Sequence, residues 1–147
     1  MEGFFVGGNM NKILLIAEEQ RLLDWWERII SIASVNTSIQ TALVQKYLQE
    51  SLETKENYLK NATITVLVTH GRDPAIVKGP ILQECESRGI PVIITEEDVA
   101  HFKTLACMLT TGVRGVVSVQ LSIITLSEII QTVSEGGIYV RPKSKRL

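Results

Sequence analysis

The chain has 147 residues and a formal net charge of −1. That length suits one domain with a core of its own, and the near-neutral balance excludes a global electrostatic reason to bind nucleic acid or an anionic membrane. With 45% hydrophobic and 21% charged residues, the composition is that of a globular domain rather than a disordered or fibrous chain.

Residues 1–11 contain an acidic residue and no basic n-region, so they read as a flexible leader and not as a signal peptide. Residues 12–17 (KILLIA) form a short apolar run, the mark of a strand buried on both faces. Leu22, Leu23, Trp26, Ile29, Ile30 and Ala33 follow the i, i+3, i+4, i+7 spacing of a helix with one buried stripe. Residues 35–41 carry the weakest signal, that of a short strand. Residues 42–59 predict one charged amphipathic helix, with Leu43, Val44, Tyr47, Leu48 and Leu52 facing inward. Residues 63–68 (TITVLV) are β-branched and apolar, as a central strand would be. A turn, HGRDP, occupies 70–74.

A helix is predicted over 75–88, stopped by Gly89. Residues 91–95 (PVIIT) predict a fourth strand. Residues 97–111 predict a helix with Val99, Phe102, Leu105, Ala106 and Leu109 on one side, and 115–119 a fifth strand. Ser122 is placed to cap a last helix, whose inner face is Leu126, Ile129, Ile130 and Val133 and whose stop is Gly136 and Gly137. Beyond it, Arg141, Lys143, Lys145 and Arg146 read as a solvated basic tail, with 143–147 outside the domain or opening a linker. No apolar run approaches the ~20 residues of a membrane span. Cys85 and Cys107 sit in helical patterns without C-x-x-C spacing, which predicts reduced thiols in a cytoplasmic protein.

Five apolar strands alternating with five helices imply parallel strands, right-handed crossovers and helices on both faces. The expected fold over 12–142 is therefore α/β: a doubly wound five-stranded parallel sheet in an α-β-α sandwich. In such sheets function gathers at the carboxyl ends of the strands. Glu18 and Glu19 follow the first strand. Two carboxylates there can hold Mg²⁺, or they can simply favour the N-terminus of the helix that follows. No other metal or cofactor is expected. His70 can in principle carry a phosphoryl group or ligate a metal, and with Asp73 it is the starting point for a hydrolase. The chain has no G-x-S-x-G, Walker A, H-E-x-x-H or G-x-G-x-x-G motif, so an enzyme is not the expectation.

Residues 112–142 (GVRGVVSVQLSIITLSEIIQTVSEGGIYVRP) resemble, without a gap, the end of a response-regulator receiver domain of the NarL/LuxR type. A weaker likeness extends over 12–142 and implies the flavodoxin-like receiver fold. On this resemblance Glu18 and Glu19 match the metal-binding acidic pair, where the family more often has aspartate. The third strand should end in the phosphoacceptor aspartate. Here the equivalent place falls to His70, which has Pro74 four residues on, or to Thr69, which follows the apolar run directly. Thr95 resembles the switch hydroxyl, and Val116 stands where an aromatic switch residue often lies. Val119 replaces the lysine that contacts the phosphoryl group, and Gln120 follows it.

Phosphoryl transfer needs an acceptor carboxylate, a divalent ion and a cation at the developing charge. The resemblance thus implies a degenerate receiver of a transcriptional regulator. It would act through a protein partner or as a homodimer, with Ile123 and Ile124 as the dimer surface, and DNA would be reached only through a domain outside these residues. The alternatives are a small-molecule sensor in the vacated crevice around Glu18, His70, Thr95 and Gln120, and the hydrolase.

Overall fold

β1 (Asn11–Ala17) begins within one residue of the predicted start, and its side chains alternate between two buried layers. Leu14 and Ile16 enter one layer; Ile13, Leu15 and Ala17 enter the other. This computed structural model describes residues 11–69, 80–95, 110, 112–118 and 122–139. Four further strands lie parallel to β1: β2 (Thr37–Leu43), β3 (Ile64–Val68), β4 (Val92–Thr95) and β5 (Val113–Val117). Their order across the sheet is β2-β1-β3-β4-β5. The chain therefore winds outward from β1 in one direction and then, from β3 on, in the other.

Five helices cover the sheet among the described residues. α1 (Gln20–Ala33) and α5 (Ile123–Ser134) close one face, through Leu23, Trp26 and Ile30 from the first and Leu126, Ile129, Ile130 and Val133 from the second. α2 (Val44–Gln49), α3 (Leu52–Lys60) and α4 (Pro80–Ser87) close the other, through Val44, Tyr47, Leu59, Ile81, Leu82 and Cys85. The doubly wound α-β-α sandwich is thus as expected. Among the described residues no helix is long and apolar enough to cross a membrane.

Three local features depart from the sequence reading. The helix predicted over 42–59 is two helices. Residues 42 and 43 instead extend β2, where Ala42 and Leu43 pair with Ile16 and Ala17. The break comes where the Ser51 hydroxyl accepts from the Thr54 amide at 3.2 Å and caps a new helix. Leu52, expected inside, opens that second helix and is 82% exposed. β5 starts two residues earlier than expected because it is bulged. Val113 pairs with Val92 and Gly115 with Ile93, so Arg114 has no counterpart on β4. The turn at 70–74 and, apart from Thr110, the helix predicted at 97–111 lie outside the described residues.

The helix stops are those expected. At the end of α4 the Ile90 amide donates to Cys85 and the Gly89 amide to Glu86; at the end of α5 the Gly137 amide donates to Thr132 and the Gly136 amide to Val133. Both are the doubly bonded termination that needs a left-handed residue, and Gly89 and Gly136 have φ of 70° and 88°. Ser122 caps α5 by accepting from the Thr125 amide at 3.1 Å.

Gly115 lets α5 sit down on β5. A β-carbon there would lie 3.0 Å from Ile93, 3.1 Å from Val133 and 3.3 Å from Ile129. Gly115→Val should therefore overpack this seam and lower the unfolding free energy by about 1–3 kcal/mol, read from the urea midpoint.

Candidate functional site

The strand order reverses between β1 and β3, and in such sheets the crevice opens above that point. Glu18 and Glu19 follow β1 and are half-buried. The Glu18 amide donates to the Val68 carbonyl at 3.3 Å. The β1–β3 ladder, which pairs Ala17 with Val68, thus continues one step and sets Glu18 alongside Thr69. Glu19 starts α1 with its main chain, because its carbonyl accepts from Leu22 and Leu23 at 3.0 and 3.1 Å. Its side chain makes no cap; Oε1 accepts instead from Arg21 at 3.1 Å.

Thr69 has no exposed surface, and Thr95, the last residue of β4, is 1% exposed. Both hydroxyl-bearing residues take part in polar interactions. A buried threonine hydroxyl next to a strand end is ordinarily satisfied in this way. The β3–β4 register, in which Leu67 pairs with Ile94, brings Thr95 beside Val68, one residue below Thr69. Glu18, Glu19, Thr69 and Thr95 therefore do share one end of the sheet. Thr95 and Val116 do not share a face. Val116 pairs with Ile94 and is buried in the layer of α2, α3 and α4, whereas Thr95 pairs with Val117, which belongs to the opposite layer. His70 and Val119 lie outside the described residues, as do Asp73, His101, Cys107 and Gln120.

Arg114 is the basic residue of β5, and it sits at the other end of that strand, with Nη1 donating to the Val113 carbonyl at 3.0 Å. Among the described residues no three His, Cys, Asp or Glu side chains group as a metal site would require. The described end of the sheet thus offers two carboxylates and two closed hydroxyls. Two carboxylates can contribute to a Mg²⁺ shell that waters complete. Of the residues expected at the dimer surface, Ile123 is half-buried and Ile124 is 72% exposed.

A second polar cluster was not legible in the sequence, where its members looked like ordinary helix positions. The buried Tyr47 hydroxyl donates to Glu84 at 2.7 Å, and Lys55 approaches the same carboxylate at 3.5 Å while lying 5.4 Å from the Tyr47 ring centroid. Arg88 pairs with Glu56 beside it. These contacts join α2, α3 and α4, segments up to 41 residues apart in the chain if counted from Tyr47 to Arg88. Beneath them the Cys85 thiol donates to the Thr65 hydroxyl at 3.4 Å. Burial pushes the Cys85 thiol up to about 11. Burial, together with the bond to Glu84, holds the Tyr47 phenol well above its ordinary range.

No protein-family profile matches the chain, and no curated protein matches it significantly. Solved structures do share its fold. A LuxR-family DNA-binding response regulator from Silicibacter pomeroyi superposes with a TM-score of 0.62 at 12% identity, over 89% of this chain and 97% of that one. A protein described as pilus assembly-related, from Burkholderia pseudomallei, gives 0.65 at 14% identity, over 92% and 97%. A response regulator receiver domain protein from Clostridium thermocellum gives 0.60 at 18% identity, over 86% and 95%. At these identities the likeness is one of fold, and the fold is that of receiver domains.

Two outcomes follow from the burial of these groups. Thr69→Asp would place a carboxylate at a position with no exposed surface beside Glu18. It should destabilise the protein by on the order of 3 kcal/mol at neutral pH, measured by urea unfolding. The Cys85 thiol, raised from 9.0 to about 11, contributes stability that is complete below pH 9 and is lost as pH rises towards 11, because the unfolded chain ionises first. The loss should be about 2–3 kcal/mol across that window, and Cys85→Ala should remove this part of the slope in urea titrations.

Proposed function

We propose that this chain is a receiver-like regulatory domain that signals through contacts with protein, dimerisation included, and not through phosphorylation of an aspartate. The observation that carries this reading is the residue that follows β3. Thr69 is uncharged and has no exposed surface, and the next aspartate in the sequence is Asp73. An acceptor must meet its phosphodonor in line, which a closed hydroxyl does not allow. An imidazole at His70 would carry a phosphoryl group on nitrogen, which is a different chemistry from an acyl phosphate.

The charge distribution supports the same reading. Residues 113–121 contain one basic residue, Arg114, and it lies at the end of β5 remote from Thr69 and Thr95. A phosphoryl group formed near Thr69 would lie alongside Glu18, a carboxylate of like charge. The solved structures of similar fold include LuxR-family DNA-binding response regulators. That supports a role in transcriptional control, with DNA contacted by a separate domain.

The test is incubation of the protein with acetyl phosphate and Mg²⁺, followed by intact mass measurement and sedimentation. The expected result is an unmodified mass and an unchanged sedimentation coefficient. A stable phospho-adduct accompanied by a change in oligomeric state overturns the reading.

A further inference from the structure

We infer that the outer edge of β2 pairs with β2 of a second copy of this chain, antiparallel and about a twofold axis at Gln40, so that two five-stranded sheets join into one. The inference rests on the reading that the chain signals through protein contacts, and it names both the surface and the partner.

The two edges of the sheet differ. β5 is closed by the chain itself: the Tyr139 amide donates to the Arg114 carbonyl at 2.8 Å, and the Tyr139 carbonyl accepts from Val116 at 3.1 Å. β2 is the other edge. Among the described residues nothing bonds to the main chain on its outer side. An open edge is ordinarily blunted by a charge, a proline, a bulge or a short length. β2 has none of these. Its sequence is TSIQTAL, its 7 residues all pair with β1, and the register runs without a shift.

Main-chain groups alternate in direction along a strand. The Asn36 carbonyl accepts from Asn11 and so turns towards β1. Ser38, Gln40 and Ala42 turn the same way, which leaves the amides and carbonyls of Thr37, Ile39, Thr41 and Leu43 facing outward. These positions are symmetric about Gln40, the central residue of the strand. An antiparallel copy centred there sets Ile39 opposite Thr41, and the two exchange both hydrogen bonds. It also sets Thr37 opposite Leu43. The Leu43 carbonyl opens α2, so that pair is carried by the Leu43 amide and the Thr37 carbonyl. Any other centre leaves part of the strand unpaired.

The side chains agree with this register. On the face covered by α1, each pair joins a threonine to an aliphatic residue, and Ile39 and Leu43 already pack on the core there. On the opposite face Ser38 meets Ala42, and Gln40 meets its own copy. A charge at the axis would face itself, whereas a carboxamide both donates and accepts and so bonds its twofold mate. Ser38 and Gln40 are exposed, and between them and α3 lies a groove of about 290 Å³ lined also by Tyr58 and Asn61. α3 therefore leaves the axis open to approach. A twofold axis normal to the sheet keeps the same face up in both copies, so both apolar layers continue across the joint.

The test is sedimentation of the full chain over a concentration series, with like charges set at the axis. The wild-type protein should dimerise. Gln40→Lys and Gln40→Glu should each raise the dissociation constant about fivefold or more. An equimolar mixture of the two variants should dimerise again, because unlike charges then meet. Under mild oxidation Gln40→Cys should link into a covalent dimer, since a directly opposed pair of this kind has Cα atoms about 4.5 Å apart. Ser38→Cys should not, because its own copy lies about 13 Å away along the strands. Gln40 and Ser38 are exposed, so circular dichroism should match the wild type throughout. A monomeric wild type overturns the inference, whatever else then covers the edge. So does a dimer indifferent to both charges, a mixture no better than either variant alone, or equal linking through Ser38→Cys. If the protein dimerises but ignores the charges, the β2 edge falls while signalling through protein contacts stands. A phospho-adduct in the acetyl phosphate experiment does the reverse: it removes that mode of signalling and leaves the edge pairing intact.

Discussion

β1 is hydrogen-bonded along its length to β2 on one side and over residues 13–17 to β3 on the other, and the rest of the molecule depends on that double pairing. A strand paired on both edges and apolar on both faces has to be covered above and below. Its neighbours in sequence supply the cover: α1 returns to one face, and α2 and α3 to the other. The chain then passes β1 to reach β3, so the connections above β1 and β3 leave in opposite directions. That divergence is what puts Glu18 beside Thr69 at an end of the sheet.

What stands at that end is chemically spare. Its described groups are two half-buried carboxylates and two closed threonines. Glu19 is paired with Arg21, and three further basic residues serve structure elsewhere. Lys55 and Arg88 bind Glu84 and Glu56 and so tie α3 to α4, and Arg114 is held at the bulge where β5 begins. A fold shared with receiver domains thus carries ion pairs that join its helices.

The elements most legible in the sequence were those whose burial is total. KILLIA, TITVLV and PVIIT are apolar on both faces because their strands are central. The last helix was legible at both ends as well as in its period, from Ser122 to Gly136. The edge strand β2 was harder to read, because Ser38 and Gln40 are exposed, only Ala42 is fully buried, and its pattern carries little contrast. The helix over 42–59 was misread for a related reason. Its charges and leucines suit a continuous helix, and the competing signal was a single serine, Ser51, whose cap restarts the chain and leaves Leu52 in solvent.

The sequence by itself determined the alternation of strand and helix, hence the parallel sheet, and it determined that neither an aspartate nor a lysine follows the third and fifth strands directly. Those are properties of residues taken in order along the chain, and periodicity and identity carry them. Only the tertiary structure decided which residues meet. The ladder bulge at Arg114, the polar bridge from Tyr47 to Glu84, and the seat of α5 on Gly115 all depend on what another segment brings opposite. Pairing register and burial are relations between distant segments, so no local pattern records them.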